Sequence, residues 1–568
     1  DILEFHRRDN KSNWWIFFNR ENYDFQDHLN DMSAIGGLEL LKTSKVEKDN
    51  VIWEYSYPEQ NFKIDVGKRV HNTFNLKDIG EVYFLDINKR IISFKISPRK
   101  KIQSLPEYLN IASDKPIPNG KLQDAIYRFA NSIVDQEKKY NSTYDLLNIQ
   151  KPKLVKEKKI SDIIKYENLE EEIYKVCKDL YESYLFIQGP PGTGKTYLIA
   201  KVIYSLLKDG KRIAISANSH KVIHNLLDRI EENALLDNFN FEGLKKRSST
   251  SVDSTYEGKN IKTQDSITLT DKIQLLAATR YEFASNVYDE FFDYVFIDEA
   301  GQVSIADTIV STLCAKNIVL IGDPQQLPQP SQIEHPNESG KSILEYLLQG
   351  KSTVEPDFGI FFIETRRLHP QICTFISERF YDSRLRSHVS TTERSIKNLK
   401  NNLIDNESGI KLIITDHEFN TQKSEEEGQI IKNLYEDLLN SEFSSKSLKR
   451  KIELNDILVV APFNVQVNYL QQILPKKSRV GTIDKFQGQE APISIISMTS
   501  SDQESVPRGI NFLLNPNRLN VAISRAQVMS IVIMNKKLFS SFANNINQLS
   551  MINNFARLKD YCSSNIDI

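Results

Sequence analysis

The segment Gly189-Pro190-Pro191-Gly192-Thr193-Gly194-Lys195-Thr196 constrains this chain more than any other. It has the form G-x-x-x-x-G-K-[ST], with a short apolar run, Leu185–Ile187, before it and a helical stretch, Tyr197–Leu207, after it. That strand–loop–helix setting is what the motif requires. Its glycines let backbone N–H groups converge on phosphate oxygens, and the helix N-terminus adds a favourable dipole. Lys195 is expected to reach the β- and γ-phosphates, and the Thr196 hydroxyl to hold Mg²⁺.

The rest of the chain repeats the strand-then-helix alternation. Arg212–Ile215, Tyr294–Ile297 and Ile318–Ile321 are short apolar runs that end in polar or glycine residues. A second set follows at Ile410–Ile414, Ile457–Val460, Ile493–Ser497 and Ser530–Met534. Strands of this kind belong to parallel sheets with crossover helices, so two tandem α/β domains are expected. The N-terminal part reads differently. Val51–Tyr57 is rich in β-formers, and Gly80–Asp86 with Arg90–Ile96 reads as a hairpin, so a small β-barrel is expected there. Leu122, Ile126, Phe129 and Ile133 share one helical face. The Lys-rich stretch 151–165 reads as a linker, and polar Asn238–Asp271 as an insertion.

Composition narrows the function classes. Among 568 residues, 73 Lys and Arg balance 75 Asp and Glu, for a net charge of −2. A site for a polyanion must therefore be a local groove. The four cysteines are scattered, with no C-x-x-C, which suits reduced thiols in the cytoplasm. No apolar run is long enough to span a membrane. The opening residues DILEFHRRDNKSNWW contain neither an initiator Met nor a signal-peptide core, and suit a piece of a longer chain.

Asp298-Glu299 closes the apolar run Tyr294–Ile297, where α/β sheets place their ligands. Asp298 can join the Mg²⁺ shell, while Glu299 can orient and deprotonate an attacking water. In Ile321-Gly322-Asp323-Pro324-Gln325-Gln326-Leu327-Pro328, Gln326 can contact the γ-phosphate or the water.

In chain order, GPPGTGKT, DEAGQ, GDPQQLP, TRRLHP, VGTIDKFQGQE and RLNVAISRA resemble the motifs of superfamily-1 helicases. The likeness is to the 5′→3′ branch of nonsense-decay RNA helicases and replication helicase–nucleases. It is closer still to the helicase half of bacterial fusions with a RecB-like nuclease. The resemblance implies two RecA-like domains with ATP and Mg²⁺ in the cleft between them, an accessory barrel on the first domain and stalk helices. Expected boundaries are 1–115 for the barrel domain, 116–165 for stalk and linker, 166–350 for the first RecA-like domain and 351–568 for the second.

The resemblance implies that Arg367 and Arg525 reach the γ-phosphate across the cleft, where a planar, always-charged guanidinium stabilises the transferring group. It places Gly488 and Glu490 at the γ-phosphate and ribose, with Gly189 to Thr196 as the nucleotide cradle. Asn218, Ser219, Thr279, Asn464 and Thr482 match strand-gripping positions, and Phe463 is a candidate for stacking on a base. Two departures stand out. Arg366 occupies a position that is usually aromatic, and Tyr166–Glu170 offers no Gln to read adenine. The implied partner is single-stranded DNA, with RNA and a nucleotide-switched binding platform as alternatives, and with room for a nuclease unit ahead of Asp1. The chain itself carries no D…E-x-K nuclease pattern.

Overall fold

The structure is a computed structural model that describes residues 1–568 except 46–49, 61, 97–104, 114, 138, 249–251, 330, 332, 400–402, 405–406, 447, 487, 505, 508 and 565–568. Six antiparallel strands alternate apolar residues inward and close on themselves near the N-terminus. They are β1 (Ala34–Lys45), β2 (Val51–Ser56), β3 (Arg69–Asn72), β4 (Asp78–Asp86), β5 (Ile91–Ile96) and β6 (Tyr108–Ala112), in the order β1-β2-β5-β4-β3-β6. Pairing of Ala34 with Ala112 joins the ends, so the barrel has no open edge. Ile35, Leu38, Tyr55, Val82, Ile92, Phe94 and Ile111 fill it. The expected hairpin is β4–β5, with Asp86 opposite Ile91.

The barrel starts only at Ala34. Helix α1 (Phe5–Asn19) and the short helix α2 (Phe25–Asn30) precede it, where barrel was expected from residue 1. Helix α1 is a strut. Phe5 is buried in the core of the following α/β unit, and the Phe17 ring lies 4.6 Å from that of His71 on β3. A second strut, α3 (Gly120–Val134), buries Leu122, Ala125, Ile126 and Phe129. Ile133 was expected on that face but is 44% exposed, because the buried stripe turns towards Ser132. The supposed linker is packed as well: Leu154, Ile160 and Ile164 join Ile173 and Val176 in one core.

Strands β7 (Tyr184–Gln188), β8 (Ile213–Ser216), β9 (Glu242–Lys246), β10 (Ile261–Gln264), β11 (Ile273–Ala277), β12 (Phe292–Ile297), β13 (Ala315–Gly322) and β14 (Gly359–Phe361) form one sheet. Its order is β10-β9-β11-β8-β12-β13-β7-β14, and every pairing is parallel. Strands β7 and β8 are wholly buried, which is why they read as unbroken apolar runs. Two features differ from expectation. The 238–271 stretch is no separate insertion, since β9 and β10 extend the main sheet. Strand β14 carries the first sheet beyond residue 350.

A second parallel sheet has the order Gly409–Thr415, Ala526–Asn535, Ala491–Ser497, Ile457–Val460, Arg479–Gly481. All four apolar runs expected there are strands of it. Among the described residues, no helix is long and apolar enough to cross a membrane.

Candidate active site

The loop after β7 takes its shape from its glycines. Gly192 and Gly194 have φ of 74° and 77°, in the left-handed region that side chains disfavour. A Cβ on Gly192 would lie 2.2 Å from Cβ of Arg367, and one on Gly189 2.2 Å from Cγ of Lys195. The loop is pinned from both sides. Gly189 N–H donates to Gly322 O on β13 (2.9 Å), and the Thr193 hydroxyl to Pro190 O (2.8 Å). The Thr365 hydroxyl donates to Pro191 O (2.8 Å), and Arg366 N–H to Gly192 O (2.9 Å). Lys195 starts the following helix, Lys195–Lys208, and its ammonium folds back onto Gly189 O. Thr196 is the next residue of that helix.

Asp298 and Glu299 leave the C-terminal end of β12 beside this loop. Asp298 is 5% exposed and accepts the Glu299 N–H at 2.8 Å. Burial, with the Glu299 charge next to it, raises the Asp298 carboxyl well above the usual range, against the pull of Lys195. Glu299 adopts φ 53°, unusual for a residue with a side chain. Such strain is found where surrounding structure fixes a functional group. The hydroxyl of Thr196 and the carboxylate of Asp298 form an all-oxygen donor set that suits Mg²⁺ with phosphate completing the shell. A buried acid held above its ordinary range also fits a place for a divalent cation.

The next strand, β13, delivers Asp323, which is buried and accepts three hydrogen bonds. These come from the Tyr381 hydroxyl (2.6 Å), Gln326 Nε2 (3.0 Å) and Gln325 N–H (3.1 Å). The Tyr381 hydroxyl in turn accepts from Asn520 Nδ2 (3.0 Å), whose amide also donates to Gln325 O (2.7 Å). Burial, with Asp323 beside it, drives the Tyr381 phenol far above its ordinary value. This network ties the loop after β13 to helix Pro516–Ile523 of the second α/β unit. Asn517 adds a bond to Pro324 O at 3.0 Å. Asp323 and Asn520 lie inside motifs visible in the sequence. Tyr381 gives no local signal, since 58 residues separate it from Asp323.

The arginines arrive from the other side of the cleft. Arg367 is held by an ion pair to Glu490 and donates to Ser524 O (3.3 Å). Glu490 also accepts from Gln527 Nε2 (2.8 Å). Burial opposes the Glu490 charge, but Arg367 and these bonds outweigh it and lower its pKa. Arg394, which the motifs do not flag, clamps the backbone there through Arg367 O (2.9 Å) and Arg366 O (3.1 Å). Arg366 itself points outward. Arg525 is 1% exposed. It donates to Val521 O (3.1 Å), Gln489 O (3.0 Å), Phe486 O (3.4 Å) and Gln326 Oε1 (3.5 Å). None of these partners is charged. Gly488 has φ 75° and open space around it at the mouth of the cleft.

The structure thus gathers Lys195, Thr196, Asp298, Glu299 and Gln326 on one wall, and Arg367, Arg525, Gly488 and Glu490 on the other. The expected strand contacts are more scattered. Asn218 is exposed and donates to Gln302 O, and Ser219 caps helix His220–Leu236 by accepting from Val222 N–H (3.3 Å). Thr279 stands at the N-cap of a single turn, Arg280–Phe283, and Asn464 is exposed at the start of helix Asn464–Ile473. Thr482 is half-buried. Phe463 is a correction. It is 6% exposed and packs in the core with its ring 5.8 Å from that of Phe512, so it is closed to a base.

Comparison with known proteins agrees with this geometry. Family models described as AAA domain match residues 173–332 and 340–537, together well over half of the chain. The DNA-binding protein SMUBP-2 of Rattus norvegicus is 26% identical over 404 residues, 60% of this chain and 40% of that protein. The DNA polymerase alpha-associated DNA helicase A of Schizosaccharomyces pombe is 25% identical over 533 residues, 82% of this chain and 78% of that protein. The ATP-dependent helicase upf1 of the same yeast is 25% identical over 456 residues, 69% of this chain and 47% of that protein. The chain spans about two fifths of the length of the mammalian relatives it matches. By its paired α/β domains, its motif order and these relatives, the chain belongs to the superfamily-1 helicases.

Proposed function

We propose that this chain hydrolyses ATP in the cleft between its two α/β units and uses the cycle to move 5′→3′ along single-stranded nucleic acid, DNA in the first instance. One observation carries the reading. Arg525 is a fully buried cation with only neutral hydrogen-bond partners, facing a loop built to hold phosphate. A buried charge that hydrogen-bonds only to neutral groups is costly, and a triphosphate supplies an anion in direct contact.

In this reading Lys195 leaves Gly189 O for the β- and γ-phosphates, while backbone N–H groups of the Gly189–Thr196 loop cradle them. Thr196 and Asp298 hold Mg²⁺, which neutralises phosphate charge when bound. Glu299 orients the water and takes its proton. Gln326 bridges the site to Arg525, and Arg367 joins it at the γ-phosphate. Because both arginines come from the second unit, closure of the cleft follows nucleotide state, and release reopens it. Glu490 has a second task at the ribose. Asn218, Ser219, Thr279, Asn464 and Thr482 grip the strand on the two units in alternation. Four free cysteines, three of them buried, suit a reducing cytoplasm.

The test is Glu299→Gln. The variant should bind a fluorescent ATP analogue as the wild type does and lose turnover by roughly 10²-fold or more, the loss expected for removing a general base. Normal turnover would remove Glu299 from this role. Lys195→Ala should abolish strand-stimulated turnover, and full turnover there would remove the loop from the account.

A further inference from the structure

An open groove of about 660 Å³ runs between α1 and the C-terminal ends of β8, β11 and β12. Its two walls differ in chemistry. One wall is the start of helix His220–Leu236, with Asn218 and Ser219, joined by Arg280 and Tyr281 from the turn after β11. The other is α1, with His6 and Asn13, closed by Lys115 from the segment that leads into α3.

The acids here are already answered. Asp307 is held by His6 Nε2 (2.8 Å) and Arg280 Nε (3.0 Å), and Asp9 by His335 Nε2 (3.2 Å). Donors therefore prevail on the sheet side: the Ser219 hydroxyl, the helix N-terminus and Arg280. On the facing wall α1 offers an amide acceptor, and Lys115 adds a cation at its edge. The His6 ring engages Asp307 through Nε2, which leaves Nδ1 on its other side. That Nδ1 is buried and has no partner, although His6 is only 5% exposed and lines the groove. Asn13 Nδ2 donates to Asn10 Oδ1 (3.3 Å), which leaves Asn13 Oδ1 to accept. Phosphate has acceptors and no donors, whereas base edges carry donors, as the 2′-hydroxyl of RNA does. A nucleotide unit laid across the groove matches both walls at once.

We propose that α1 forms one wall of the path of the single strand, with phosphate on Ser219 and Lys115, and with base donors on Asn13 Oδ1 beside the unpartnered His6 Nδ1. This rests on the strand-translocation reading above and adds to it. The strut that carries the barrel touches the strand directly, so strand engagement and barrel position are linked through one helix.

The test uses the full chain and a fluorescein-labelled oligo(dT), with binding followed by anisotropy across a salt series. Lys115→Ala should weaken binding and lower the salt slope by about one, the signature of one lost phosphate contact. Asn13→Ala should weaken binding by roughly tenfold with the slope unchanged, since it removes a hydrogen bond and no charge. A strand carrying 5-iodouracil should photo-cross-link to Tyr281 or to residues of α1. Wild-type affinity and slope in both variants, with no cross-link on α1 while the wild type binds the strand, would overturn this inference alone. Failure of the wild-type chain to bind any strand would overturn it together with the reading it rests on.

Discussion

Arg525 and Arg367 lie side by side, and among the described residues only Arg367 pairs directly with a carboxylate, Glu490, while Glu299 and Glu490 act on Arg525 without a direct bond. Burial, and next to it the Arg367 charge, lowers the Arg525 guanidinium to about 9. The free protein carries this cost, and a bound triphosphate relieves it. Replacing Arg525 with a similar-sized apolar residue, Arg525→Met, should therefore stabilise the nucleotide-free protein, by about 1 kcal/mol or more. The same change should cut turnover by roughly 10³-fold. Thermal melts with and without an ATP analogue check it. The wild type should gain more from nucleotide than the variant does.

Gly192 touches both units, since its absent side chain leaves room for Arg367. Gly192→Ala combines a left-handed φ with a Cβ at 2.2 Å from Cβ of Arg367. The loop and Arg367 must part, and a displacement of that size costs on the order of 10² in rate. Steady-state turnover at saturating strand should fall accordingly, while far-UV circular dichroism stays unchanged.

Glu231 secures the region that the sequence suggests is an insertion. Buried on helix His220–Leu236, it accepts Asn260 N–H (2.8 Å), Ile261 N–H (2.9 Å) and Asn260 Nδ2 (2.9 Å). A Cβ on Gly258 would lie 2.2 Å from its Oε1. Glu231→Ala strands these donors, at roughly 1–3 kcal/mol for each one left unsatisfied. Urea denaturation should show a loss of at least about 2 kcal/mol, and faster amide exchange in β9 and β10 than in β7.

Stability should also fall with acid, through His220. Burial, then the Lys245 ammonium that donates to its Nδ1 at 3.0 Å, lowers its pKa from 6.5 to about 4. Between those values the unfolded chain binds a proton that the folded chain does not. This contribution is therefore complete above about pH 6.5 and is lost progressively as pH falls towards 4. Melting temperatures measured from pH 7 to pH 5 should decline less steeply in His220→Gln than in the wild type.

The readable parts of this molecule are those fixed by local chemistry. Gly192, Gly194 and Lys195 announce the phosphate loop because the turn needs those residues. The apolar strands announce two parallel sheets because burial on both faces leaves no alternation. The barrel hairpin is legible in its β-formers and its turn. What escaped depends on distant contacts. Glu231 sits on a helix about thirty residues before the turn it secures, so 238–271 looks like a free polar loop. Phe463 looks like an open aromatic until Phe512 packs against it. Tyr381 becomes visible only once Asp323 and Asn520 are brought to its hydroxyl. Likewise, α1 reveals its role only when Phe5 and Phe17 are seen anchored in two different units.

Strand displacement with 5′-tailed and 3′-tailed duplexes, in DNA and in RNA, decides whether hydrolysis in the cleft drives the chain along a strand. ATP-dependent displacement is expected from the 5′-tailed DNA duplex, and should be absent in Lys195→Ala and in Glu299→Gln. Turnover that no strand stimulates, with neither tail supporting displacement, would contradict it.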